Sequence, residues 1–458
     1  MVPPSAGAAR KRVLIAFAKS VRNSIIDLAQ LRMVREGLWI IVAYCVTAAA
    51  GLISIRLFTE LAPQSVFGSA NLLIGVLTLG MQALIAPITQ TQLRYHTGYR
   101  DAGAAGHFTM QVARFAATAA AIIVLIMSAT LLVWPSARAG SGFAIIGCLA
   151  AWIAISTYRA VLINPVQAER QQKRYALWIS SEAIAQMLCT AGLLAIWPTV
   201  EGYVCGQVAG TALSAVTFGR LPRRSSGTRP EADSSRAWRQ IIDYGLPFAP
   251  FAFLGWLSNL SDRYVLATFL GTAAVGQYVA AFAIGSRLPT LLGGLLADLF
   301  RPALFEAATR SNHARANQLF AIWLAALGAG VAVAVLTLIV FGDAIANILL
   351  AEDYRRNASE IMTWIATGYG FSVIAQVVEN RLLSLSASRT LLWTKLAGAG
   401  ATLSFSILLI PHHGVIGAAV ASAAGQLLLL VATSWMLFTI QKVNRSTGPR
   451  AATKDNVM

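Results

Sequence analysis

The sequence predicts an all-α polytopic membrane protein of about twelve transmembrane helices, arranged six and six about a polar linker. Three observations predict it. First, 57% of the 458 residues are hydrophobic and only 12% are charged, against roughly 45–50% and about 25% in soluble domains. The mean hydropathy of +0.63 excludes an ordinary soluble enzyme. Second, twelve mainly apolar stretches approach or exceed the ~20 residues that cross a hydrocarbon core. Third, Lys and Arg alternate in density from one inter-stretch segment to the next, as the positive-inside rule requires. Lipid-facing backbone must satisfy its own polar groups, which leaves helices for runs of this length.

Taken in order, residues 1–34 place Val13, Leu14, Phe17, Val21, Ile25, Ile26 and Leu28 among Arg12, Lys19, Arg22 and Arg32. That is a basic amphipathic segment for a membrane surface, without the small-residue site of a cleaved signal peptide. Spans follow at 35–57, 66–90, 109–134, 142–163, 175–196 and 200–219, forming a first unit over 35–219. Residues 220–240 hold Pro222, Pro230, Gly227 and four serines among arginines and read as a linker. A second unit over 241–440 carries spans at 243–267, 274–300, 317–341, 359–380, 391–410 and 414–438, the one from 274 able to extend past Arg301. Residues 441–458 form a tail. Six spans per unit give both units one orientation, so any repeat is parallel. An offset of 208 sets Leu57-Phe58 on Val265-Leu266 and Phe67-Gly68 on Val275-Gly276.

Of the 36 Lys and Arg, all but Arg56, Arg138, Arg355, Arg356, Arg263 and Arg287 fall on one side. Both termini are therefore expected to be cytoplasmic. The net charge of +17 then reflects topology and anionic lipid headgroups, with no nucleic-acid partner. Cys45, Cys148, Cys189 and Cys205 lie in or at the ends of spans without metal-type spacing and read as packing residues. His412-His413 has no third ligand nearby, so no metal site is expected, and no nucleotide loop or other cofactor motif occurs.

Several short motifs then align with a known group. Arg56-Leu57-Phe58 through Pro63-Gln64-Ser65-Val66-Phe67-Gly68 follows the first span. Asp243-Tyr244-Gly245-Leu246-Pro247, Asn259-Leu260-Ser261-Asp262-Arg263-Tyr264 and Val275-Gly276-Gln277-Tyr278 open the second unit, and Gly414-Val415-Ile416-Gly417-Ala418-Ala419 enters the last span. In order and spacing the chain resembles the polysaccharide transporters of the MOP (MATE-like) superfamily, including Wzx-type O-antigen and exopolysaccharide flippases. The resemblance implies two six-helix bundles around a central cavity, alternating access, and lipid-linked (polyprenyl-diphosphate) oligosaccharide as substrate in a bacterial cell inner membrane. It also implies bilayer lipids and the pathway's polysaccharide polymerase and chain-length machinery as partners.

A charge at a helix centre costs about 2.5–3.5 kcal/mol on insertion scales and faces protein or water. Arg287, half-way along its span, is the first candidate for a phosphate ligand, since a guanidinium fork matches phosphate oxygens. Asp298, three turns on, projects from nearly the same face. Asp262 and Arg263 are cavity candidates or a helix-packing ion pair. Arg94 and Arg301 end their spans on the basic side, as entrance residues or ordinary anchors. Glu182 is the candidate for a coupling proton, or is simply hydrated near the start of its span. The alternatives are a multidrug or cation antiporter of the same superfamily, which should favour acidic cavity groups, and a membrane-embedded polymerase or ligase, which should carry a large catalytic outer loop. The longest outer loop, 342–358, holds no nucleophile–base arrangement.

Overall fold

A computed structural model describes residues 37–133, 142–219, 237–245, 249–310, 312–385 and 388–447. The amphipathic segment 1–34, most of the linker and most of the tail lie outside them. The described residues are helical almost throughout. In the first set, α1 is Gly37–Leu61, α2 Gln64–Asp101, α3 Ala105–Val133, α4 Gly142–Ala168, α5 Gln172–Ile196 and α6 Val200–Phe218. The second set is α7 (249–270), α8 (272–309), α9 His313–Leu349, α10 Ala358–Ser384, α11 (388–413) and α12 (415–447).

Two glycines make the last assignments possible. Residues 249–285 are helical on both sides of Gly271, whose φ of 82° is open to glycine without a Cβ clash. The Tyr278 hydroxyl donates to Asp262 Oδ2 at 2.5 Å. Sixteen residues of continuous helix would separate them by about 24 Å, so the chain reverses at Gly271. Gly414, with φ 60°, does the same between α11 and α12, where a Cβ on Gly398 would touch Leu429. The reversal points 271 and 414 and the α1–α2 connection share one end of the bundle, called here the turn end. The opposite, terminal end carries the short α2–α3 and α4–α5 connections and the ends of α6 and α12.

Prolines shape α2 and α8. The missing N–H of Pro87 is accommodated by a π-helical turn at Met81–Ile85. Pro289 cannot donate to the Gly285 carbonyl, and α8 departs from regular helix at Ser286, immediately before Arg287.

The two sets meet along α2, α7 and α8 with a recognisable symmetry. A Cβ on Gly68 would run into the Thr272 carbonyl, and one on Gly276 would run into the Gln64 carbonyl. Since 272 − 64 and 276 − 68 both equal 208, each contact is the image of the other in a parallel repeat. Small residues here permit close backbone approach between helices whose sides are already apolar. Nearby, Tyr264 donates to the Leu72 carbonyl at 2.8 Å and Trp256 to the Gly75 carbonyl at 2.7 Å.

At the turn end, residues 350–357 close over α1 and α2. Tyr354 donates to the Ala62 carbonyl at 2.8 Å, Gln64 to the Asp353 carbonyl at 2.6 Å, and Arg56 to the Leu350 carbonyl. Phe67 packs edge-on against both Tyr354 and Tyr203. Burial in this cluster raises the Tyr354 hydroxyl above the usual phenol range.

Some local expectations change. Residues 237–245, at the sequence boundary between linker and second unit, pack on the first set. Trp238 lies against Phe115, Tyr99 donates to Gln240 at 3.1 Å, and Gly245 abuts the Pro87 carbonyl. Arg94 and Arg301 do not end their helices, which run on to Asp101 and Thr309. An apolar run marks the extent of hydrocarbon, whereas a helix can continue into the headgroup region with its charges exposed. Cys148 and Cys205 face one another between α4 and α6, their sulfurs 2.7 Å apart as free thiols.

The 208-related crossing gives a direct test. Gly276→Leu should cost about 1–3 kcal/mol through overpacking, read as a lower thermal midpoint in detergent. Gly255→Leu, at a position with open space around it, should stay within about 0.5 kcal/mol of wild type. Equal effects would contradict the close crossing.

Candidate functional site

Between the two sets, α1 and α8 run antiparallel and bring their charged residues to two levels. At the deeper level, a Cβ on Gly51 would occupy the place of the Arg287 guanidinium. Gly51 is ten residues from the turn end of α1 and fourteen from its other end, so this contact lies about 15 Å along the helix from the turn end. That is near the middle of a ~30 Å hydrocarbon core. Arg287 is half-buried, its Nε has no hydrogen-bond partner, and among the described residues it makes no ion pair. An arginine side chain here can reach across to the other set only because residue 51 lacks a side chain.

Nearer the terminal end, the exposed carboxylate of Asp298 lies close enough to Tyr44 of α1 and Tyr175 of α5 to act on both electrostatically. On antiparallel helices, going from 287 to 298 and from 51 to 44 leads the same way, so Asp298 and Tyr44 both lie on the terminal side of the Arg287–Gly51 contact. An exposed carboxylate at this position in a membrane-spanning helix needs water beside it. The exposed Leu295 and Leu299 of α8 flank it. The hydrogen bonds and close backbone contacts that join the sets lie toward the turn end, and the Asp298 carboxylate stands exposed nearer the terminal end.

The first set adds an ion pair. Arg159 of α4 reaches Glu182 of α5 with Nη2 at 2.8 Å and Nε at 2.9 Å. Glu182 is 7% exposed, so it is paired with arginine and shielded from bulk water, in contrast to the hydrated position considered from sequence. Tyr175, one helical face below, lies within electrostatic range of both partners and of Asp298.

The second set holds a separate polar group. Asp262 of α7 is 1% exposed and accepts from Tyr278 Oη and, at 2.8 Å, from the Arg263 backbone N–H. The acid and its neighbour form no side-chain ion pair, because they point apart on the helix. Arg263 instead lays its guanidinium over the Phe282 ring at 4.5 Å, a cation–π contact worth about 0.5–2 kcal/mol. Its Nε has no hydrogen-bond partner. Tyr369 packs edge-on against Phe282 and donates to Asn259 at 3.3 Å.

Arg94 stacks over Tyr244 at 4.3 Å and Tyr95 at 5.7 Å, while Arg301 is exposed on α8. Glu379 pairs with Lys395 at 2.6 Å, joining α10 to α11. Arg287 thus lies between the sets with Asp298 further along α8, Glu182 is paired inside the first set, Asp262 and Arg263 form a cluster inside the second set, and Arg94 and Arg301 lie toward the terminal end. Gly51, Tyr44, Arg159, Tyr175, Phe282 and Tyr369 complete these groups and were not singled out from sequence. Arg159 alone carried a signal, a cation within the apolar run 142–163.

No family model matches the chain, and no curated protein matches it. Solved structures do. An inward-facing multidrug-resistance MATE-family transporter of the MOP superfamily superposes with a TM-score of 0.65 at 12% identity, over 89% of this chain and 96% of the other. The lipid II flippase MurJ in an inward closed conformation gives 0.63 at 12% identity, over 90% and 93%. A MOP-superfamily transporter from Pyrococcus furiosus, described as having a binding pocket of reversed polarity, gives 0.61 at 13% identity over 90% and 95%. At these identities the likeness is one of fold: the all-helical, multi-pass fold of MOP-superfamily transporters.

Gly51→Ala should displace the Arg287 guanidinium and lower stability by about 1–2 kcal/mol. In the Arg287→Ala background the same change should be nearly neutral, a non-additivity measurable by a double-mutant cycle. Additive effects would show that the two residues are not in contact.

Proposed function

We propose that this protein is a transporter that moves a lipid-linked, anionic oligosaccharide across a bacterial inner membrane by alternating access, with a polyprenyl-diphosphate oligosaccharide as the substrate class. The observation that carries the reading is the pair of half-buried arginines, Arg287 and Arg263, which make no ion pair among the described residues. A buried cation without a counter-ion is expensive. A substrate bearing about two negative charges on a diphosphate supplies what is missing, and bidentate guanidinium–phosphate contacts give it orientation. The acids present are otherwise engaged or peripheral: Glu182 by Arg159, Asp262 by Tyr278.

In this reading Arg287 binds the diphosphate at the level of Gly51. Arg263 and the aromatic group around Phe282 form a second stop in the second unit, 241–440. Arg94 and Arg301 draw anions toward the entrance. The sugar headgroup passes through the water-accessible cleft beside Asp298 while the polyprenyl tail stays in lipid. The charge asymmetry of the loops supports cytoplasmic termini, which makes the terminal end the inner side and the described state inward-open. Glu182 carries a coupling proton only if the Arg159 pair opens during transport.

A cation exporter is the competing use of the same fold. It calls for exposed acids in the cleft and finds Asp298, but it leaves both arginines repelling the cargo. The MurJ flippase shows that this fold serves lipid-linked cargo in another protein, and a polymerase or ligase role has no catalytic group to support it among the residues described above.

The test is reconstitution into liposomes with a fluorescent polyprenyl-diphosphate oligosaccharide. Wild type should accelerate translocation over protein-free vesicles, and Arg287→Ala should slow it at least about tenfold, a loss of roughly 1.4 kcal/mol or more. Ethidium should not be transported. Translocation no faster than in empty vesicles, or ethidium export without lipid movement, would refute the proposal.

A further inference from the structure

Away from the central cleft, α3 and α4 enclose an apolar groove of about 730 Å³. Small side chains make the space: Ala117, Ala121 and Ser128 on α3 face Ala154, Thr157 and Leu162 on α4. On α4 the lining runs from Ile153 to Leu162, about 14 Å of helix. That is close to half of a ~30 Å hydrocarbon core. The Leu162 end leads into a second, polar pocket of about 150 Å³, which Leu162 also lines. This pocket lies at the terminal end, among His96, Thr109, Glu169, Gln171 and Arg174.

Two buried polar atoms in the polar pocket are unpartnered. Thr109 is 1% exposed and His96 2% exposed, yet Thr109 Oγ1 and His96 Nδ1 have no hydrogen-bond partner. Burying such atoms unpaired costs about 1–3 kcal/mol each. Glu169 is engaged within the pocket, accepting from the His96 ring at 3.1 Å and from the Gln171 amide at 2.6 Å, with Arg174 beside it as the balancing cation. Arg174 donates to the Phe218 carbonyl at 2.6 Å and has further N–H groups to offer. Arg170 and Lys173 stand on the same short connection and helix start. An apolar slot about one leaflet deep, headed by a polar pocket that holds Arg174, an unused hydroxyl and an unused ring nitrogen, matches a single amphiphile.

We infer that α3 and α4 hold an anionic glycerophospholipid of the terminal-side leaflet, with one acyl chain in the apolar groove and the headgroup phosphate at Thr109 and Arg174. The His96 Nδ1, the ring atom left without a partner, is placed to hydrogen-bond a glycerol hydroxyl of phosphatidylglycerol. The site is separate from Arg287 and does not depend on the transport reading.

Native mass spectrometry of the detergent-purified full chain, titrated with phosphatidylglycerol or phosphatidylethanolamine, tests this. Wild type should retain one phosphatidylglycerol at least fivefold more tightly than phosphatidylethanolamine. Thr109→Val, which keeps the shape and removes the hydroxyl, should weaken phosphatidylglycerol about three- to tenfold. Ala121→Trp, at an exposed groove position, should abolish the tight site with an unchanged lipid-free thermal midpoint, and Arg287→Ala should leave it intact. Equal retention of the two lipids, or wild-type retention by both groove variants, would overturn the inference. If Ala121→Trp does not purify, the lipid comparison on wild type and the Thr109→Val titration decide the matter.

Discussion

A guanidinium lodged against a glycine backbone in mid-membrane is the contact on which the arrangement of this protein turns. Arg287 reaches α1 only because Gly51 has no side chain, and it does so from the position where Pro289 bends α8. Leaving an arginine there without an acid is destabilising by an amount comparable to several ordinary interactions. The two sets of helices can tolerate it only if water or an anion reaches that depth. The exposed Asp298, toward the terminal end of the same helix, marks the side from which either would arrive. The constraint therefore links backbone, bend, cleft and charge.

The closed end has a different chemistry. There the sets are held by backbone carbonyls accepting from Arg56, Gln64, Tyr264, Trp256 and Tyr354, and by the Gly68–Gly276 crossing. Each hydrogen bond has a modest net worth of about 0.5–1.5 kcal/mol, so the closure is a sum of small, separately breakable contacts. An interface of this kind suits a structure that exchanges which end is open.

Much of this was legible in the sequence because hydrophobicity is a one-dimensional property. The helices follow from apolar length, and the 208 offset already aligns Gly68 with Gly276. The scarcity of charge made Arg287, Glu182 and Asp262 conspicuous. What was not legible depends on pairs brought together by folding. Gly51 resembles any other glycine in an apolar run until Arg287 is placed beside it. Glu182 reads as hydrated until Arg159, on a different helix, is seen to bind it. Asp262 and Arg263 read as a candidate pair from adjacency, but their 100° separation sends one to Tyr278 and the other to Phe282. The helix end beyond Arg94 was hidden for another reason, since hydropathy reports the thickness of the hydrocarbon and not the length of the helix, whereas the extension past Arg301 was foreseen.

In the transport cycle proposed above, the space beside Arg287 changes its open end when an anionic lipid-linked substrate binds. Electron–electron distance measurements between spin labels test it most directly, using a variant with Cys45, Cys148, Cys189 and Cys205 replaced by serine and reconstituted in lipid. One label pair joins positions 170 and 310 at the terminal end, and another joins positions 60 and 352 at the turn end. With polyprenyl-diphosphate oligosaccharide, the account predicts a population in which the first distance shortens and the second lengthens, absent in Arg287→Ala. Distance distributions that stay the same with and without substrate, or that shift equally in Arg287→Ala, would contradict it.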